Sequence, residues 1–299
     1  MPGSEIVETL HEPAIGSHGL AARLCAALAL CAGFLLTGCR GEHEPPPAIP
    51  RDAIYSRADL HFADVMLFKP ADPEAGSELQ RKSTPLIMQE VRGTNFVNDS
   101  PMTPIFVHEG HVELMGRKLE RVTFFWRYPA GANTNSPLLP AQGVRITHNT
   151  AGLPMIWEVL ADTSGAELVF ASQNLEAAAI REFGPPLPNR RFAVERSLTE
   201  TPSVVVARVL SDSPVAMGPI VYLNRGTRDV GTLICRCMEA QARNLTGEGT
   251  YEVTVVTADE IASLIEESLP SGKFQRADWR AEVAGTKRLE RILRLPKDF

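Results

Sequence analysis

The 299-residue chain has no positive charge to spare: 30 Lys and Arg stand against 36 Asp and Glu, a formal net charge of −6. Nucleic-acid binders carry a clustered positive excess, so DNA and RNA are not expected partners. Nor is there an apolar run of the roughly 20 residues that a helix needs to cross a bilayer. The longest, Leu24 to Leu36, has 13. Aromatic residues make up only 6% of the chain. Nucleophile elbow, phosphate loop, dinucleotide fingerprint, EF-hand and HExxH motifs are all missing, which removes the most easily recognised enzyme classes. Internal repeats are missing too.

What is present begins at the N-terminus. Arg23 precedes the apolar run, whose length suits the h-region of a secretory signal. It carries no amphipathic stripe of the kind a core helix needs. Directly beyond it, Leu36-Thr37-Gly38-Cys39 resembles the lipobox of bacterial lipoproteins. The resemblance covers only this segment. It implies that residues 1–38 are a signal peptide, that Cys39 becomes the acylated first residue, palmitate among its chains, and that two or three acyl chains anchor the protein stably. With Arg40 in place of Asp, it further implies retention in the outer membrane, facing the periplasm. Residues 1–22 hold Glu5, Glu8 and Glu12 but no Lys or Arg, whereas a signal n-region is positive. The expected translation start therefore lies closer to Arg23.

Residues 39–52 read as the lipidated cysteine and a tether, since Pro45, Pro46 and Pro47 favour an extended polyproline II spacer. Residues 53–299 read as a single mixed globular domain, with a subdivision, if any, near residue 190. The expected fold class is α+β: β-rich, with antiparallel hairpins or a meander and two or three helices, because strands come in hairpins and do not alternate with helices.

Residues 53–92 read as partly helical. Residues 105–128 suggest a three-stranded meander with turns at Glu109-Gly110 and near Gly116-Arg117, and 144–160 a hairpin in which Gly152 takes a positive φ. Further strands are expected at 167–171, 192–195, 203–210, 219–223, 231–238 and 251–256. A helix over 174–183 should stop at Gly184-Pro185. Thr257 and Glu260 fit a capping box opening a helix to about 269, whose buried stripe would be Ile261, Leu264, Ile265 and Leu269. The tail from 278 to 295 could form another helix, weakened by Gly285.

Two constellations could carry chemistry. After loss of Cys25 and Cys31 with the leader and acylation of Cys39, the body retains Cys235 and Cys237, adjoining Met238 in Cys235-Arg236-Cys237-Met238. On a strand, residues two apart share a face, so both thiols could bind a soft ion such as copper, or zinc with further ligands. They could instead form a disulfide in an oxidising envelope, or be small buried apolar residues. His108 and His111 would face each other across a hairpin turning at Glu109-Gly110, with Glu113 on the face of His111. An exposed polar hairpin tip explains the same residues. Phe124, Phe125, Trp126 and Tyr128 suit a core or a sugar-binding platform. The resulting expectation is a lipid-anchored envelope protein serving as a non-enzymatic binding or structural module, with an envelope protein or the cell wall as partner. The alternative is a copper- or zinc-binding or thiol-redox protein using Cys235, Cys237 and Met238, with His108 and His111.

Overall fold

Strand alternation dominates the body, and it assembles two packed sheets. The computed structural model describes residues 51–59, 62–91, 104–128, 138–196, 203–236, 242–269, 275–276 and 288–299, all within the unit spanning 46–299. The signal, the lipobox with Cys39, and residues 40–50 lie outside these, as do Cys237, Met238 and Trp279. In chain order the elements are α1 (Arg51–Ala58), β1 (Phe62–Pro70), α2 (Glu78–Ser83), β2 (Leu86–Glu90), β3 (Ile105–Leu114), β4 (Arg117–Arg127), β5 (Ala141–His148), β6 (Pro154–Val159), β7 (Ala161–Asp162), β8 (Ala166–Ser172), α3 (Gln173–Phe183), β9 (Ser203–Leu210), β10 (Pro219–Leu223), β11 (Val230–Cys235), β12 (Ala242–Tyr251), β13 (Val253–Val255), α4 (Ala258–Ser268), β14 (Gln275–Arg276) and α5 (Arg288–Ile292).

The smaller sheet has the order β11-β10-β2-β1-β12 and the larger β13-β3-β4-β5-β6-β8-β9, with β14 and β7 as a separate pair. The fold is α+β and β-rich, as the residue pattern predicts. The sheets are mixed, however, and do not consist of antiparallel hairpins alone: β1–β12, β2–β10, β3–β13 and β8–β9 are parallel pairs. Parallel partners need long crossovers, which local alternation does not reveal. The β8–β9 pair brackets residue 190 and binds both sides of it into one sheet.

Inner faces of the two sheets share one core. Phe68, Ile87, Val221 and Leu233 of the small sheet meet Phe124, Trp126, Ile146 and Phe170 of the large one, and Ile54 and Ala58 of α1 join them. Phe125 is also fully buried. The aromatic run is therefore core, and offers no sugar platform. On its other face the large sheet is covered by helices in two places. Leu114, Ile156 and Val169 pack with Leu175 of α3, Leu289 of α5 and Leu293 directly after it. Phe125 and Leu160 pack with Ile261 and Ile265 of α4.

Several local expectations change. Residues 53–92 are partly helical, in α1 and α2, but 62–70 and 86–90 are strands: Val65 and Leu67 pack in a cluster on one face of the small sheet while Met66 and Phe68 face the inter-sheet core, a period of two. Arg51 and Asp52, assigned above to the tether, open α1. Glu109-Gly110 makes no turn: β3 runs straight through it, and the chain reverses at Met115 and Gly116. Both have positive φ, 51° and 75°, the geometry of a two-residue hairpin matching strand twist. Residues 105–128 are thus one long hairpin and not a meander of three strands. Residues 192–195 form a turn with an isolated bridge from Glu195 to Leu293. Unexpectedly, β12 is a strand, although it is polar, Gly-containing and exposed along most of its length. Within the 278–295 tail, α5 is the helix among the described residues.

Candidate functional site

The straight course of β3 separates the two histidines. Three residues apart on a strand, His108 and His111 point to opposite faces. His108 Nδ1 hydrogen-bonds the carbonyl of Val256 at 3.2 Å, and exposed His111 lies across from Glu120. Glu113 does share the face of His111, but His108 does not join them. Among the described residues no group of three or more His, Cys, Asp or Glu could hold a metal ion.

Cys235 ends β11 opposite Pro219 and is 9% exposed. It is disulfide-bonded. The bridge engages its sulfur, so in this state Cys235 presents no thiolate to a metal. Next to it, Arg236 donates to the Thr84 carbonyl. Neither histidine is brought to this corner: Cys235 belongs to the small sheet and the histidines to the large one.

Three polar clusters that sequence inspection misses are buried instead. The first is a stripe between the two helix-covered patches of the large sheet. Along β4 the outward residues read Leu119, Arg121, Thr123, Phe125, and from β6 onward Ile156, Glu158, Leu160. Arg145 and Glu158 are a direct cross-strand pair, both fully buried, joined by two hydrogen bonds of 2.9 Å. Arg288 of α5 reaches the same carboxylate at 2.6 Å and also contacts Glu167. Burial alone would push Glu158 up, but the guanidiniums of Arg145, Arg288 and Arg121 outweigh it and hold the carboxyl at about 2.

In the second cluster Arg57 bonds Asp162 at 2.6 Å and approaches Asp229 at 3.7 Å. Burial and the neighbouring Asp162 charge raise Asp229. In the third, Ser83 Oγ and His148 Nε2 share a 3.0 Å hydrogen bond. Both residues are buried, and burial pushes His148 down to about 4. The pair holds the end of α2 against β5.

Grooves lie on the surface around these clusters. One, of about 650 Å³, runs between α2, the β3–β4 hairpin, the 151–153 turn and Val215. Another, of about 580 Å³, is lined by Arg51, Tyr55, Arg190 and Arg191. There Glu195 holds Arg51 at 2.8 Å and Asp59 holds Arg191 at 2.9 Å, so those two cations are neutralised. The third, about 440 Å³, lies between α4 and β3 on a floor of Phe106, Val256 and Leu264, beside Asp259, Ser263 and Glu267.

α4 owes its position to its cap. Thr257 accepts from the Glu260 N–H, and the Glu260 carboxylate accepts from the Thr257 N–H, closing the box read from the sequence. Ile261, Ile265 and Leu269 are buried beneath it and Leu264 half-buried, which leaves Asp259, Ser263 and Glu267 on the outer side. No family model, no curated protein and no solved structure matches the chain.

Proposed function

We propose that the chain is a lipid-anchored protein of the bacterial cell envelope, held at Cys39 in the outer membrane, whose β-rich body is a non-enzymatic binding module facing the periplasm. The observation that carries this is the Leu36-Thr37-Gly38-Cys39 tetrapeptide directly after the 13-residue apolar run. Two others support it. The prolines at 45–47 suit a spacer that holds a body off a membrane surface. The disulfide at Cys235 suits an oxidising compartment.

A second reading, copper or zinc binding or thiol redox through Cys235, Cys237 and Met238, has one observation in its favour, the disulfide itself. Its redox form needs reversible cleavage of that bridge. Its metal form needs the bridge reduced first, since the thiolate is the ligand.

Intact-mass analysis of the native protein, purified in detergent without chelator, tests the first reading. The expected species begins at Cys39 and carries acyl mass, and Cys39→Ser abolishes both. A chain retaining residues 1–38 with unmodified Cys39 overturns it. Near-stoichiometric copper or zinc in the same sample, lost in a Cys235→Ser, Cys237→Ser double variant, would move the assignment to the second reading.

A further inference from the structure

The groove beside α4 combines features that the other two do not. Its floor is apolar, with half-buried Phe106, Val256 and Leu264. Its wall is acidic: Asp259 and Glu267 are exposed on α4, and Glu260 adds a third carboxylate that also caps the helix. Arg127 lies over the Phe106 ring at 5.6 Å and supplies a cation at that end.

The spacing says which shape fits. Asp259, Ser263 and Glu267 lie at i, i+4 and i+8, on one side of the helix. The two carboxylates are therefore about 12 Å apart along the axis. A second helix laid along α4 places cations eight positions apart at the same separation, and the apolar residues between them fall on Phe106, Val256 and Leu264. That is the helix-in-groove mode of recognition, with an apolar stripe for affinity and rim charges for orientation.

We propose that this groove docks an amphipathic helix with a leucine-like apolar face flanked by Lys or Arg, presented by a protein partner. Charge complementarity selects it: an acidic helix or an anionic bilayer would set like charges against Asp259 and Glu267. The proposal rests on reading the body as a binding module, and holds whether or not Cys39 is acylated.

The test uses the purified full chain in detergent and two labelled synthetic helices of the same length, one of leucine and lysine, the other of leucine and glutamate. Fluorescence anisotropy should show saturable binding of the leucine–lysine helix, weakened by salt, and much weaker binding of the leucine–glutamate helix. Asp259→Lys with Glu267→Lys should weaken the first about tenfold, the loss expected from two rim ion pairs with reversal, and strengthen the second. Both positions are exposed, so the fold should survive. Leu264→Ala, at a half-buried residue of the floor itself, should weaken binding of both helices and report on the apolar floor separately.

Equal affinity for the two helices, unchanged affinity in the reversed variant, or no binding overturns the proposal. So does light scattering that finds the groove closed by a second copy of the chain, in a dimer that the reversal dissolves and the lysine helix does not. Failure of the envelope reading would show separately, in the mass of Cys39.

Discussion

A neutral imidazole is the only form of His148 that its surroundings accept. The residue is 1% exposed, its Nε2 is engaged with Ser83, and the Glu120 backbone offsets only part of the cost of charging a buried ring. Its value falls from 6.5 to about 4 on folding. Between those pH values the unfolded chain takes up a proton that the folded one refuses, so stability is full above pH 6.5 and falls as pH drops towards 4. The shift corresponds to about 3 kcal/mol at the end of that window. Glu158 adds a second window: its ion pairs stabilise the fold above pH 4.5, and that contribution is lost as pH falls towards 2. Urea titrations should show acid destabilisation beginning near pH 6.5, and in His148→Gln the slope between pH 6.5 and 4 should largely vanish. Unchanged slope in the variant would place the titrating group elsewhere. Neither residue stood out in the sequence. A lone histidine in a strand and a Glu thirteen positions from its Arg carry no local signal, since their roles are set by cross-strand neighbours.

At the scale of the element, α4 was the most legible part of the chain. A capping box, a 3-4 apolar stripe and acidic residues in the first turn all lie within thirteen positions, Thr257 to Leu269, and each acts through contacts made inside the helix or directly beneath it. The cap should be separable from the packing. Thr257→Ala is expected to lower stability by about 1 kcal/mol in chemical denaturation, and Thr257→Ser to restore it. Because α4 forms the groove wall, the alanine variant should also loosen amide protection over residues 258–261. The β3–β4 hairpin teaches the opposite lesson. Glu109-Gly110 and Met115-Gly116 both resemble turns locally, and the pairing of Ile105 with Trp126 through Leu114 with Arg117 decides between them. Placing the turn at 115–116 gives two long strands and buries Val112, Leu114 and Leu119, whereas a turn at 109–110 would forfeit those contacts. That choice also dissolved the histidine pair.

For the whole molecule, distant segments finish the core. Leu289, Leu293 and Leu295 are buried against the large sheet, and Arg288 supplies a cation to Glu158 and Glu167. Arg117, at the β3–β4 turn, donates to the carbonyls of Lys297 and Phe299 at 2.6 and 3.0 Å. Each buried leucine contributes about 2 kcal/mol, against a total stability of about 5–15 kcal/mol for a typical domain. Removing residues 288–299 should therefore abolish cooperative unfolding, seen as loss of near-ultraviolet circular dichroism and of a sharp thermal transition. A deletion that still melts cooperatively would show that α5 only decorates the sheet.

The sequence by itself determined the β-rich α+β class, the α3 and α4 helices, the Gly152 turn and the apolar character of the 124–128 run. These follow from interactions within a few residues, periodicity, caps and positive-φ glycine, which any window of sequence contains. It also holds the Leu36-Thr37-Gly38-Cys39 tetrapeptide and the prolines at 45–47 from which the envelope reading is proposed. Tertiary structure decided which strands pair in parallel, that polar β12 is a strand at all, and that Arg145, Glu158 and Arg288 form one buried network. It also put Phe106 beside α4, more than 150 positions away. The physical reason is common to all four. Cross-strand partners and the neutralisation of buried charge depend on groups far apart in the chain, whose proximity has no trace in local pattern until the sheets are assembled.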